Sequence, residues 1–162
     1  MNKTLNRNEF YSTVKALVDD TFAFQDTKLG EDMVQSHAPA QYYRYVQLFN
    51  RRAVGKTYTL TRLANDFYPT MAVFANRNLL TRAVYHCAEY QYYPTNPKYA
   101  FTTQDILSRG FIPTLGQGDM PPRFKLGIID DALNLQWNLC ERQIDEMREI
   151  VFLYCDVVLE LG

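Results

Sequence analysis

The sequence predicts an α/β protein: a mostly parallel sheet flanked by helices, preceded by an N-terminal helix. Apolar runs of strand length alternate with segments whose apolar residues recur at helical spacing, the pattern of successive strand and helix units. With 47% hydrophobic residues in 162, the chain can bury one sizeable core but hardly two, so a single compact domain is expected. The aromatic and β-branched segment 42–49 leads through the loop 50–57 directly into a helical pattern.

Phe10, Val14, Leu17, Val18 and Thr21 fall on one face at helical spacing and predict an amphipathic N-terminal helix that lids the core. Residues 25–41 lack a strong period, contain Gly30 and Pro39, and read as a connecting loop with room for a helical turn. Tyr42 to Phe49, aromatic and β-branched, reads as the first strand. After the loop, Leu60, Leu63, Ala64 and Phe67 predict a helix that Pro69 ends. Met71 to Ala75 reads as a second strand, and Leu80, Ala83, Val84, Cys87 and Ala88 as its helix. Prolines 94 and 97 mark a loop over 92–99, a short helix is expected over Thr103 to Arg109, and three prolines with two glycines make Pro113 to Pro122 a loop. Phe124 to Ile129 is the third expected strand. Leu133, Trp137, Cys140, Ile144, Met147 and Val151 then keep one stripe through a five-turn helix, and Val151 to Leu161 reads as a fourth strand. The chain thus divides into an N-terminal helical segment, 1–41, and a domain over 42–162 that stops at Gly162 straight after a strand read as central, as expected of a fragment or a minimal version of a larger fold.

The loop between the first strand and its helix carries the chemistry. Asn50, Arg51, Arg52, Ala53, Val54, Gly55, Lys56 and Thr57 follow the phosphate-loop pattern G-x-x-x-x-G-K-[ST] except at the first position, where asparagine replaces glycine and tolerates left-handed backbone geometry. Backbone N–H groups at a helix start attract phosphate, a lysine reaches the β and γ oxygens, and a hydroxyl binds Mg²⁺. These residues and Tyr58 are therefore the candidate nucleotide-binding set, with ATP and Mg²⁺ as the expected ligands. Leu126, Ile128 and Ile129 run into Asp130 and Asp131, as a strand delivering a carboxylate to the metal would; Asp130 and Thr57 are the candidate metal ligands and Asp131 the candidate that orients water. Asp131 equally suits the N-cap of the following helix.

Arg52 to Thr57 resembles the R-x-x-G-K-[ST] phosphate loop of viral large terminases, ATPases that pump DNA into phage heads, within the P-loop NTPases of the additional-strand class. The resemblance implies a P-loop NTPase-like fold and a DNA-packaging motor ATPase. It implies an arginine at Arg52 that stabilises the γ-phosphate beside catalytic Lys56 and Asp131, partners in double-stranded DNA and motor or portal subunits, and an oligomeric active form. The likeness covers roughly 42–162; the coupling motif expected after the fourth strand and a C-terminal nuclease domain are not seen, so nuclease activity is not expected. A different nucleic-acid-dependent ATPase, a small nucleotide kinase and a non-catalytic nucleotide-binding module are the alternatives; against the kinase, segment 111–123 offers only Arg123 for an arginine-rich lid.

A formal charge of −1 gives no global field to hold a polyanion, so DNA contact would need a local basic face or a partner. Arg44, Arg51, Arg52 and Arg62 surround the loop in sequence and balance a triphosphate equally well. Tyr42, Tyr43 and Tyr45, and Tyr90, Tyr92 and Tyr93, could stack on a base or pack at a sheet edge or subunit interface. His37 and His86 are isolated. Cys87, Cys140 and Cys155, odd in number and far apart, read as reduced buried thiols. Charges throughout the first twenty residues leave no signal-peptide core, and Ile150 to Leu161 is too short to span a bilayer, so a cytoplasmic location is expected, that of the host if the protein is viral.

Overall fold

The computed structural model describes residues 6–49, 55–89, 99–108, 123–130, 135 and 138–162, with the side chains of all of these except 84–89. Its described helices are α1 (Arg7–Gln25), α2 (Lys28–Gln35), α3 (Lys56–Asp66), α4 (Arg77–Glu89), α5 (Thr103–Leu107) and α6 (Glu141–Tyr154). The strands β1 (Tyr45–Leu48), β2 (Thr70–Phe74), β3 (Ala100–Thr102), β4 (Phe124–Asp130) and β5 (Cys155–Leu161) form one sheet in the order β1-β5-β4-β2-β3, and every pairing is parallel.

Side-chain alternation along the strands divides the core. Ala72, Phe74, Leu126, Ile128, Val157, Leu159 and Leu161 face α1, α3 and α4, whose Val14, Leu63 and Leu80 complete one cluster. Met71, Val73, Ile129 and Val158 face the other way, onto Ile106 of α5 and Ile144, Met147 and Val151 of α6. Connections that run from β1 towards β3 therefore cross on the α3/α4 face, and those that return cross on the α5/α6 face, as a single handedness of crossover requires.

Local chemistry sets the element ends. Asn6 and Glu9 form a capping box at the start of α1, which buries Phe10, Tyr11, Val14 and Val18 but leaves Leu17, expected on the same face, 38% exposed. The segment read as a loop over 25–41 holds α2, because the Thr27 side chain accepts the Gly30 N–H and starts a helix. The first strand is shorter than its composition suggests. The N–H groups of Tyr42 and Tyr43 turn back to the carbonyls of Pro39 and Ala40 in a 3₁₀ turn and are lost to the ladder. Strand β3, too short to carry a period of its own, went unread in the sequence; Thr102 ends it and also caps α5.

The expected helix from Leu133 through Val151 is not continuous. The chain breaks at Leu139 and Cys140, and α6 starts at Glu141 with the Gln143 side chain accepting the Cys140 N–H, so the stripe reads across two segments. Leu133 and Trp137 lie outside the described residues. Val151 to Tyr154, expected in the last strand, are helical. The Arg123 guanidinium donates to the carbonyls of Leu153 (3.1 Å) and Cys155 (3.1 Å) and pairs with Asp156, fixing the helix-to-strand change there. Gly127 allows this close seating of α6 on β4, since a Cβ there would lie 2.7 Å from Val151 Cγ1 and Cys155 Sγ. Cys140, expected buried, is exposed, and Cys155 is buried as expected. No described helix is long and apolar enough to cross a membrane.

Candidate functional site

All five strands are parallel, so their carboxyl ends share one edge of the sheet, and two features read from the sequence meet at that edge. Leu48, the last residue of β1, and Asp130, the last of β4, are both opposite Leu161 of β5, so the three lie in one row. Two inter-strand steps put β1 and β4 about 9–10 Å apart. By alternation Asp130 shares the face of Leu126 and Ile128, the face that carries α3. Helix α3, which follows β1, lies on this face and α6, which follows β4, on the other, and at such a change of face parallel α/β sheets bind ligands.

Helix α3 starts at this edge. Gly55 is its N-cap in left-handed geometry (φ 85°), and Lys56 and Thr57, both partly buried, form its first turn with Tyr58. Among the described residues no side chain caps the helix, and its first turn holds no acidic residue. A lysine at the positive end of an uncapped helix is unfavourable by about 0.3–1 kcal/mol unless an anion sits there. Asn50, Arg51, Arg52, Ala53, Val54 and Asp131 lie outside the described residues; of the predicted set the structure describes Gly55, Lys56, Thr57 and Tyr58 at the start of α3 and Asp130 at the end of β4. Asp130 is 7% exposed, a buried carboxylate at a sheet edge. Among the described residues no group of three or more His, Cys, Asp or Glu forms a metal cluster; a cation here would be held by Thr57 and Asp130 with water or ligand oxygens completing its shell.

Tyr58, included with the binding loop from sequence, faces α1. Its hydroxyl donates to Asn8 Oδ1 (2.7 Å) and accepts from Arg62 Nη1 (3.0 Å), and the Arg7 guanidinium lies 4.8 Å from its ring centroid. Arg62 also stacks 3.7 Å from the Tyr11 ring centroid, and Tyr11 donates to Asp66. Helices α1 and α3 thus run side by side in the same direction, with their first turns in contact. Gly55 has a second reason for lacking a side chain: a Cβ would lie 2.7 Å from Arg7 Cβ. Sequence reasoning missed Arg7 and Asn8, since no local pattern links them to a loop some fifty residues on. It also missed Thr59, wholly buried one turn into α3, whose Oγ1 has no partner among the described residues.

Tyr45 donates to Glu160 and packs edge-on against Phe152, and burial, with that carboxylate, raises its hydroxyl's pKa. Glu160, 1% exposed, accepts two hydrogen bonds from Arg148 (3.0 and 2.7 Å). Tyr42 is 66% exposed. His37 sits at positive φ (54°) in the turn after α2, and the side chains of His86 and Cys87, with Tyr90, Tyr92 and Tyr93, lie outside the described residues. No family model, curated protein or solved structure matches the chain.

Proposed function

We propose that this protein binds ATP with Mg²⁺ at the carboxyl edge of its sheet and hydrolyses it, as a motor ATPase of the kind that packages DNA. The observation that carries the reading is the placement of Gly55-Lys56-Thr57 at the start of the helix following β1, with Asp130 in the same row of the sheet and on that helix's face. In this reading the α3 N–H groups and Lys56 neutralise the phosphates, Thr57 and Asp130 hold Mg²⁺, Asp131 orients water, and Arg52 offsets charge on the leaving phosphoryl group. The uncapped, lysine-bearing start of α3 supports a bound anion. Double-stranded DNA, portal subunits and an oligomeric active form belong to the same proposal and rest on the loop's resemblance to the terminases.

The contact between Gly55 and Arg7 favours a second reading, in which the glycine serves the docking of α1 and the loop is a non-catalytic remnant. Titration with Mg-ATP separates the two. Lys56→Ala should weaken binding about 10- to 100-fold, the loss of one charge-assisted contact. Equal affinities for parent and variant would refute the first reading; tight binding without phosphate release, with or without duplex DNA, would establish the second.

A further inference from the structure

Strand β1 lies at the end of the sheet and pairs only with β5 there. The carbonyls of Arg44 and Leu48 accept the N–H groups of Val158 (2.8 Å) and Gly162 (2.8 Å), so in a parallel ladder the even-numbered residues point their backbone groups at β5. Tyr45 and Gln47 therefore turn their N–H and C=O groups outward, and none of the described residues pairs with them. Natural edges are blunted by shortness, proline, lysine or a bulge; Tyr45–Leu48 is short, four residues, but has no proline, lysine or bulge. Exposed Tyr42 (66%), Phe49 (50%) and Leu153 (67%) surround it instead.

The edge is flanked by a cleft on each face. On the α1 side a cleft of about 570 Å³ is lined by Leu17, Phe24, Val46 and Leu48 and is mainly apolar. On the α6 side a cleft of about 650 Å³ runs past Phe152 and Leu153 to Asp145 and Glu149; Arg44 also lines it, its guanidinium donating to the Phe152 carbonyl (2.7 Å) and lying 5.5 Å from that ring's centroid. It continues along α6 into a shallow groove where Glu141 and Glu146 join those two carboxylates, with Arg142 the cation there. Arg148 is already committed to Glu160 and to Asp145 (3.4 Å).

We propose that β1 is a docking edge for an extended segment of a protein partner in which basic residues alternate with apolar ones. Such a strand takes the outward backbone groups of Tyr45 and Gln47. It sends its apolar side chains into the α1-side cleft, and lays its Lys or Arg stems over exposed Leu153, clear of the Phe152 ring that Arg44 covers, with their charges on Asp145 and Glu149. A second copy of this chain is the poorer occupant. Joining two β1 edges antiparallel about a two-fold axis places both α6 helices on the same face and sets their carboxylates against each other.

The probe is a labelled, end-blocked hexapeptide of alternating Lys and Val, followed by fluorescence anisotropy at low salt, with a Glu/Val hexapeptide as control. The Lys/Val peptide should bind with a dissociation constant of about 10–100 µM, and the Glu/Val peptide should not. Gln47→Pro, which deletes an outward N–H that the ladder to β5 does not use, should weaken binding about tenfold or more with the urea midpoint kept. Glu149→Lys, at an exposed position, should do the same. Absence of Lys/Val binding, or binding that Gln47→Pro leaves unchanged, overturns the proposal. So does a concentration-dependent dimer that Gln47→Pro abolishes and the peptide fails to compete with.

Discussion

Replacing Arg148 by methionine tests the buried link between α6 and the carboxyl end of β5. Glu160 is 1% exposed and accepts from Arg148 Nε at 3.0 Å and Nη2 at 2.7 Å, with the Tyr45 hydroxyl as a third donor. Hydrogen bonding to Glu160 is the main reason the Arg148 pKa is raised. Removing the cation leaves a buried carboxylate served by a single phenol, for which the cost is about 3–5 kcal/mol; because Tyr45 stays as a donor, we expect about 3 kcal/mol. Against a total stability of roughly 5–15 kcal/mol, the variant still folds. With a urea m-value near 2 kcal/mol/M, its midpoint falls by about 1.5 M. The double variant Arg148→Met/Glu160→Gln keeps an acceptor for Tyr45 and removes the buried charge, so it should recover all but about 1 kcal/mol. A single-variant loss below about 1 kcal/mol, or losses that simply add in the double variant, would show that the pair does not carry this buried charge.

Burial, followed by the hydrogen bond to Asp66, raises the Tyr11 hydroxyl to about 12. The folded state therefore favours the protonated phenol. That contribution is complete below the free tyrosine value near 10 and disappears as pH climbs through the folded value, so alkaline unfolding of Tyr11→Phe, followed by circular dichroism, should depend less on pH between these limits than that of the parent. Thiol labelling in a Cys87→Ser background should modify Cys140, which is exposed, at once. Cys155, whose thiol burial pushes well above its usual range, should react only after denaturation. Gly55→Ala places a Cβ at φ 85° and 2.7 Å from Arg7 Cβ, and should lower stability by about 1–3 kcal/mol in urea unfolding. Adding Arg7→Gly should relieve the steric part, whereas Arg7→Ala, which keeps the Cβ, should not.

What the sequence made legible follows from the range of each interaction. The alternation of strands and helices, the place of Lys56 at a helix start and that of Asp130 at a strand end are written within a few residues, where apolar period and chain direction decide. That was enough to place Lys56 in the first turn of α3 and Asp130 at the end of β4. Element ends were misread where a distant or individual side chain decides them. Arg123 holds Leu153 and Cys155 from across the fold, and Gln143 folds back on Cys140, so the stripe from Leu133 to Val151 promised a single helix where the chain breaks. Strand β3 escaped because three residues cannot carry a period.

The role of α1 was illegible for a related reason. Its apolar face announced a lid over the core, while its contacts with the candidate site run through Arg7 and Asn8, polar residues that any amphipathic helix would leave to water. Because those contacts fall on Gly55 and Tyr58, the first turn of α3 is shaped by α1 as well as by any phosphate it holds. If the proposed site holds nucleotide, its affinity should therefore respond to Asn8→Ala, which removes the acceptor of the Tyr58 hydroxyl and leaves Arg62 donating to it, as well as to Lys56→Ala. A response to Lys56→Ala alone would mean that α1 only covers the core, and a response to Asn8→Ala alone would assign the glycine to helix docking.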